Sequence, residues 1–193
     1  MIVMAATMGA LAAYPSCRVL LHKYRSLHPC STRFRVKHSR INEYLTEIRV
    51  KLNADRAVIL EFHNGGHFID GTSMKKFSAT HESCSTGVTY TTNRRADLVL
   101  TNYVNLVDHI ADEVVSIIPS SDLPDSMTRR DLDQHNTLAF SVSSLTNMKN
   151  SSTTGCLLIE WCNWDSLDLV QEDEVGVLVK EYTRKISGEM TRG

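Results

Sequence analysis

Helical and strand-like spacings of apolar residues alternate along most of the chain. Ile41, Tyr44, Leu45, Ile48 and Leu52 share one face at helical spacing, which predicts a helix over 38–54 capped at Ser39. The run AVILEF at 57–62 is almost wholly apolar and predicts a strand covered on both faces. Asn64-Gly65-Gly66 follows it and predicts a tight reversal, because Asn-Gly tolerates positive φ. A further loop at 70–73 and a returning strand at 76–81 complete the expected hairpin. Residues 87–93 are polar and carry no clear period.

Leu98, Val99, Tyr103, Leu106, Val107, Ile110, Val114 and Ile117 keep helical spacing up to Pro119, and 120–124 is linker-like. Residues 137–145 alternate, with Leu138, Phe140 and Val142 on one face. A polar loop at 147–154 leads to a second apolar strand, GCLLIEWC at 155–162. The closing helix is expected over 172–190, with Val175, Leu178, Val179, Tyr182 and Ile186 as its stripe and acidic residues 172–174 at its positive dipole end. The order is helix, two strands, helix, two strands, helix. Hairpin-linked strands with flanking helices predict an α+β layer architecture.

Charge changes the picture at the N-terminus. No acidic residue occurs before Glu43, while seven basic residues lie between Arg18 and Arg40. The remainder holds 14 basic residues against all 22 acidic ones, a net charge of −8. Residues 2–21 are apolar apart from Arg18, and about 20 residues suffice to span a hydrocarbon core. Residues 1–22 are therefore expected to form a membrane-anchor helix, with Pro15 tolerated and Arg18 snorkelling to the interface. The positive-inside rule then places the basic linker at 23–38 and the domain at 39–190 on the cytoplasmic side. A buried soluble helix and a cleaved signal are the alternatives, and the second lacks a positive n-region. Membrane contact through residues 1–40 follows from the anchor. Nucleic acid is not an expected partner, since only Tyr24 and Phe34 interleave the basic residues and no motif accompanies them.

Three constellations carry candidate chemistry. His63, His67, His81 and Cys84 would offer imidazole and thiolate to a metal if the hairpin brought them together, although their spacing matches no standard zinc site. Glu61 and Glu160 each sit near the end of an apolar strand and would share a pocket if the strands were neighbours. The alternative is an ion pair of each with Arg56 or Lys76. Arg94-Arg95 and Arg129-Arg130 are expected on the solvated surface. The five cysteines have an irregular spacing that excludes a disulfide framework and fits buried thiols. No nucleophile motif and no phosphate-binding glycine loop is present.

The element order, with LNADRAVILEFHNG at 52–65 and GCLLIEW at 155–161, resembles a GAF-like domain of uncharacterised bacterial and bacteriophage proteins with a short N-terminal membrane segment. The resemblance covers 39–190. It implies a central antiparallel sheet of five to six strands flanked by helices, beside the N-terminal hydrophobic helix. It also implies a small-molecule sensor, often a homodimer through its first and last helices. No cyclic-nucleotide motif, no cysteine suited to a bilin and no attached kinase or cyclase domain accompanies it.

The expected function is a membrane-anchored ligand-binding or regulatory module that acts through a partner, with Glu61, His63, Asn64, Gly65, His67 and His81 as ligand contacts. No cofactor is identified. A structural or interaction scaffold, such as a bacteriophage accessory or virion protein, is the second reading, and a metal-dependent hydrolase using Glu61, His63, His67 and His81 is the third.

Overall fold

The computed structural model describes residues 32–111 and 115–192. The chain divides into two compact units, Met1–Arg40 with Gly193, and Ile41–Arg192. In the first, the described residues are helical, and the Phe34 and His38 rings lie 4.0 Å apart between centroids. The expected anchor at 1–22 and most of the basic linker lie outside the described residues. Among the described residues, no helix is long and apolar enough to cross a membrane.

Helix α1 (Thr32–Lys51) continues into the second unit, which is α+β. Strands β1 (Arg56–His67), β2 (Ser73–Cys84), β3 (Leu98–Val99), β4 (Ile118–Pro119), β5 (Ala139–Thr146) and β6 (Thr153–Trp161) form one sheet in the order β3-β2-β1-β6-β5-β4. All of its pairings are antiparallel. Helices α2 (Val104–Ala111), α3 (Met127–Gln134), α4 (Trp164–Asp168) and α5 (Glu172–Thr191) complete the unit.

The two apolar strands pair centrally, with Arg56 opposite Glu160 and Glu61 opposite Gly155. Their side chains alternate between two cores, as the period of two requires. Ala57, Ile59, Leu157, Ile159 and Trp161 pack with Ile41, Leu45, Ile48, Val175, Val179, Tyr182 and Ile186, so α1 and α5 cover this face. The Trp161 indole donates to the Leu52 carbonyl (3.1 Å) and the Tyr182 hydroxyl to Glu47 (2.9 Å), so the buried aromatics satisfy their polar ends. Val58, Leu60, Phe140, Cys156 and Leu158 point to the other face. They meet Phe77, Tyr103, Leu106, Ile110 and Leu132 there. Both faces of the central strands are thus covered, as their unbroken apolar runs predict.

Two expectations fail for identifiable reasons, and one further helix has no counterpart in the sequence reading. The reversal is not at Asn64-Gly65-Gly66. The ladder continues to His67, paired with Ser73, through an irregularity between Asn64 and His67 where Gly66 takes φ +103°. The chain turns at 68–72 instead, where Asp70 accepts from the Thr72 amide and Gly71 has φ +83°. Glycines next to a strand end mark a bulge here, which the dipeptide alone does not distinguish from a turn.

The long helix expected over 98–117 is broken. Leu98 and Val99 pair with Phe77 and Lys76 at the sheet edge, a 3₁₀ turn covers Leu100–Asn102, α2 is described over Val104–Ala111, and residues 115–117 are not helical. Two-residue edge strands have no periodicity to reveal them. Helix α3 follows the linker-like 120–124, in a stretch for which the sequence predicts no element. Ser126 caps it by accepting from the Arg129 amide (3.2 Å), and Thr128 and Leu132 are its buried residues. That is too little for a stripe.

Gly155 sits where a Cβ would lie 2.2 Å from the Leu60 carbonyl oxygen of the neighbouring strand. Gly155→Ala is expected to lower stability by about 1–3 kcal/mol through forced separation of β1 and β6. The midpoint of urea unfolding measures this.

Candidate functional site

Glu160 is the centre of a buried polar network. It is 0% exposed and faces the second core's side of the sheet, flanked by Arg56 and Arg95, each 1% exposed. Arg56 Nη1 donates to Glu160 Oε2 (3.0 Å), and Arg95 donates from Nη1 to Oε2 (3.0 Å) and from Nη2 to Oε1 (2.8 Å). The Thr137 hydroxyl adds a fourth bond to Oε1 (2.9 Å). Four donors around one carboxylate satisfy its lone pairs, which is the condition for burying a charge without a large penalty.

Each arginine reaches onward. Arg56 Nη2 donates to the Thr89 carbonyl (2.9 Å), and its Nε lies 3.3 Å from Glu82. Glu82 in turn accepts from the amides and hydroxyls of Thr91 and Thr92. Arg95 pairs with Asp131 on α3 (2.7 Å). The network therefore ties β1, β2, β6, the 89–95 segment and α3 to one another.

The electrostatics follow from this geometry. Burial pushes the Glu160 carboxyl upward, but Arg95 and then Arg56 outweigh it and hold it at about 2. Burial disfavours the Arg95 cation, yet Glu160 and Asp131 raise its pKa further above the usual arginine range. The cysteines go the other way. Burial raises Cys84 and Cys162 to about 11 and Cys156 to about 12, so all three are protonated thiols at neutral pH and poor nucleophiles.

A cleft of about 470 Å³ opens against this network. Its walls are Asp55 and Arg56, the 86–89 loop after β2, Arg94, residues 134–136 at the end of α3, and Cys162 with Asn163. Asp55 is fully engaged, accepting from the amides of Cys162 and Asn163, the Asn163 side chain and the hydroxyls of Ser85 and Ser166. His135 is buried, and its Nδ1 lies 2.7 Å from the Asp131 carbonyl oxygen. A carbonyl only accepts, so Nδ1 carries the proton and the 3.5 Å approach of Arg95 Nη2 is no competing bond. In the neutral ring this leaves Nε2 as the acceptor nitrogen, and it has no hydrogen-bond partner. A second cavity, about 640 Å³, lies by Phe62, Val107, Ile110, Ser144 and Lys180.

The expected site residues are placed elsewhere. His63 Nε2 shares a hydrogen bond with Ser78 (2.9 Å), and Asn64 accepts from Lys75 (2.7 Å). Gly65 leaves room for the Lys76 stem, and His67 is exposed near the hairpin tip. Glu61 accepts from the Thr80 hydroxyl (2.7 Å), and His81 is buried beside the same hydroxyl (3.0 Å). Neither cavity is lined by any of these six residues.

The metal quartet is dispersed. His81 stands opposite Ile59 and Cys84 opposite Arg56, whereas His63 and His67 face Lys76 and Ser73. At about 3.3 Å per residue, His81 and His63 are roughly 13 Å apart along the hairpin, far beyond a shared ion. Among the described residues, no three His, Cys, Asp or Glu side chains are grouped to hold a metal ion. The carboxylate pair is separated too, since Glu160 faces Arg56 while Glu61 faces Gly155. Glu160 instead forms the ion pair with Arg56 that stood as the alternative.

Arg129 and Arg130 are surface ion pairs with Asp133 and Asp125 (both 3.0 Å), in line with expectation. Arg95 is not a surface residue, and the sequence offered no sign of it. His135 was equally unmarked, because it caps the C-terminus of a short helix that shows no apolar stripe.

Glu160→Gln removes the charge that balances two buried guanidinium groups and is expected to cost about 3–5 kcal/mol, read from urea unfolding at pH 7. The pH dependence has a defined sign. The folded Glu160 carboxyl lies near 2, below its ordinary 4.5, so its contribution is fully present above pH 4.5 and lost as pH falls toward 2. The unfolding midpoint of the parent chain should fall across that window, and that of Glu160→Gln should fall less.

Neither a protein-family model nor a curated protein matches the sequence. Solved structures do match in fold. A phycoerythrobilin-bound GAF domain from a cyanobacterial phytochrome superposes with a TM-score of 0.56 at 16% identity, covering 90% of this chain and 91% of that one. A far-red cyanobacteriochrome photoreceptor gives 0.60 at 11% identity, covering 91% and 100%. The photoproduct state of GAF3 from a Synechocystis sp. PCC6803 protein gives 0.55 at 13% identity, covering 81% and 94%. The six-stranded antiparallel sheet, with helices on both faces, is the GAF fold.

Proposed function

We propose that this chain is a ligand-binding regulatory module of GAF type, and that its ligand occupies the cleft beside Arg56, Arg94 and His135. The observation that carries this reading is the cleft itself, a 470 Å³ opening backed by the hydrogen-bond network around Glu160. Volumes of about 300–1,000 Å³ are typical of small-molecule sites. Loops 86–89 and 134–136 meet there with Arg56 of β1 and with Cys162 and Asn163 just after β6, so an occupant would touch several separate segments of the chain at once. That is how binding would be passed to the rest of the domain.

The chromophores of the photoreceptor neighbours are not part of the proposal. Val58, Leu60, Phe77, Phe140 and Leu158 pack the second face of the sheet into an apolar core. The same packing favours a second reading, in which the domain is a scaffold that binds no small molecule.

The finer parts of the reading rest on sequence. Residues 1–22 serve as a membrane tether with the domain on the cytoplasmic side, and the module pairs with a second copy and signals through a partner. Native mass spectrometry of the full chain, purified without chelator, tests ligand and copy number together. A retained small molecule on a dimer is the expected result. A bare chain that takes up no compound from a metabolite mixture would favour the scaffold. Recovery in the membrane fraction, lost when residues 1–22 are deleted, is the expected outcome for the tether.

A further inference from the structure

The cleft also constrains what kind of molecule it takes, given the ligand-binding reading above. Of the charged groups that line it, Asp55 and Arg56 are consumed by their neighbours. Arg94 is not. Its side chain is exposed, and no carboxylate pairs with it among the described residues. A guanidinium left free at a pocket mouth favours carboxylate or phosphate, which match its fork of donors. His135 adds an opposite demand. With its Nδ1 proton committed to the Asp131 carbonyl, Nε2 is an acceptor that needs an N–H or O–H from outside. A buried acceptor without a partner costs about 1–3 kcal/mol, so a donor arriving there is rewarded. Nε2 is closed to solvent, so a ligand in the cleft reaches it only with a local shift of the 134–136 segment that lines the opening.

We propose that the cleft binds a small anion that is also a hydrogen-bond donor, its charged oxygens on Arg94 and its O–H or N–H on His135 Nε2. Hydrogen phosphate has this pairing at neutral pH, as do hydroxy acids. Sulfate has the charge and the shape of phosphate but no O–H, so the two anions separate the charge requirement from the donor requirement.

The test is a titration of the ¹⁵N-labelled full chain at pH 7.5 with inorganic phosphate and, at matched ionic strength, with sulfate. The ring nitrogens of His135 are followed by long-range ¹H–¹⁵N correlation. Phosphate is expected to shift the Nε2 resonance saturably. Sulfate should bind about tenfold more weakly or less, the loss of one hydrogen bond to a charged ligand. Arg94→Gln should weaken phosphate by about tenfold, while Lys149→Gln, an exposed charge elsewhere, should leave it unchanged. Equal binding of sulfate, an unaltered affinity in Arg94→Gln, or no response of His135 to phosphate would each overturn the proposal. An uncharged molecule found by native mass spectrometry that moves the His135 resonance when neither anion does would leave the ligand-binding reading standing and remove only the anion. No response to any of them would remove both.

Discussion

The second unit depends on how a single carboxylate is buried. Glu160 sits at the end of an otherwise apolar strand with no access to water, where an unpaired charge would cost several kcal/mol. It is tolerated because Arg56, Arg95 and Thr137 surround it with four donors. Those donors come from β1, from the loop that follows β2, and from Thr137, two residues before β5. Satisfying one charge therefore fixes the mutual positions of four parts of the chain that apolar packing alone would leave free to slide. Apolar contacts tolerate small shifts, whereas a forked guanidinium–carboxylate pair does not.

The same arrangement produces the cleft. Arg56 and Arg95 turn inward toward Glu160, and Asp131 on α3 follows Arg95, which brings His135 to the cleft beside Arg56. Asp55, one residue before Arg56, gathers the amides of Cys162 and Asn163 at the far end of β6. The polar floor is thus a consequence of the network rather than a separate device. Loops 86–89 and 134–136 are left to form the walls. Arg94 faces outward because its neighbour Arg95 faces inward, so two adjacent arginines have opposite roles in one short segment.

Local sequence revealed the elements whose stabilising contacts repeat with a regular period. The stripes of α1 and α5 and the apolar runs of β1 and β6 account for the first core and the centre of the sheet. They were legible because burial on a regular face requires one residue type at every turn or every second position. Strands β3 and β4 and helix α3 were not legible. The first two are two-residue edge pairings, and α3 is held chiefly by a cap at Ser126 and by Leu132. The Asn64-Gly65-Gly66 signal was real as a need for backbone freedom, but Gly66 serves a bulge within the ladder and the reversal falls several residues later.

What the sequence by itself determined is the α+β class, the pairing of two doubly covered strands, and the helices that bracket the sheet, since each follows from periodic burial. The Arg56–Glu160 ion pair was also within its reach as one of two alternatives. Only the tertiary structure decided that Arg95 is buried, that His135 is left with an open acceptor, and that His63, His67, His81 and Cys84 are strung along a hairpin rather than gathered. The physical reason is range. Periodicity reports contacts between residues a few positions apart on one face. A charge cluster assembled from residues 56, 82, 95, 131 and 160 depends on register and crossing geometry that no local window contains.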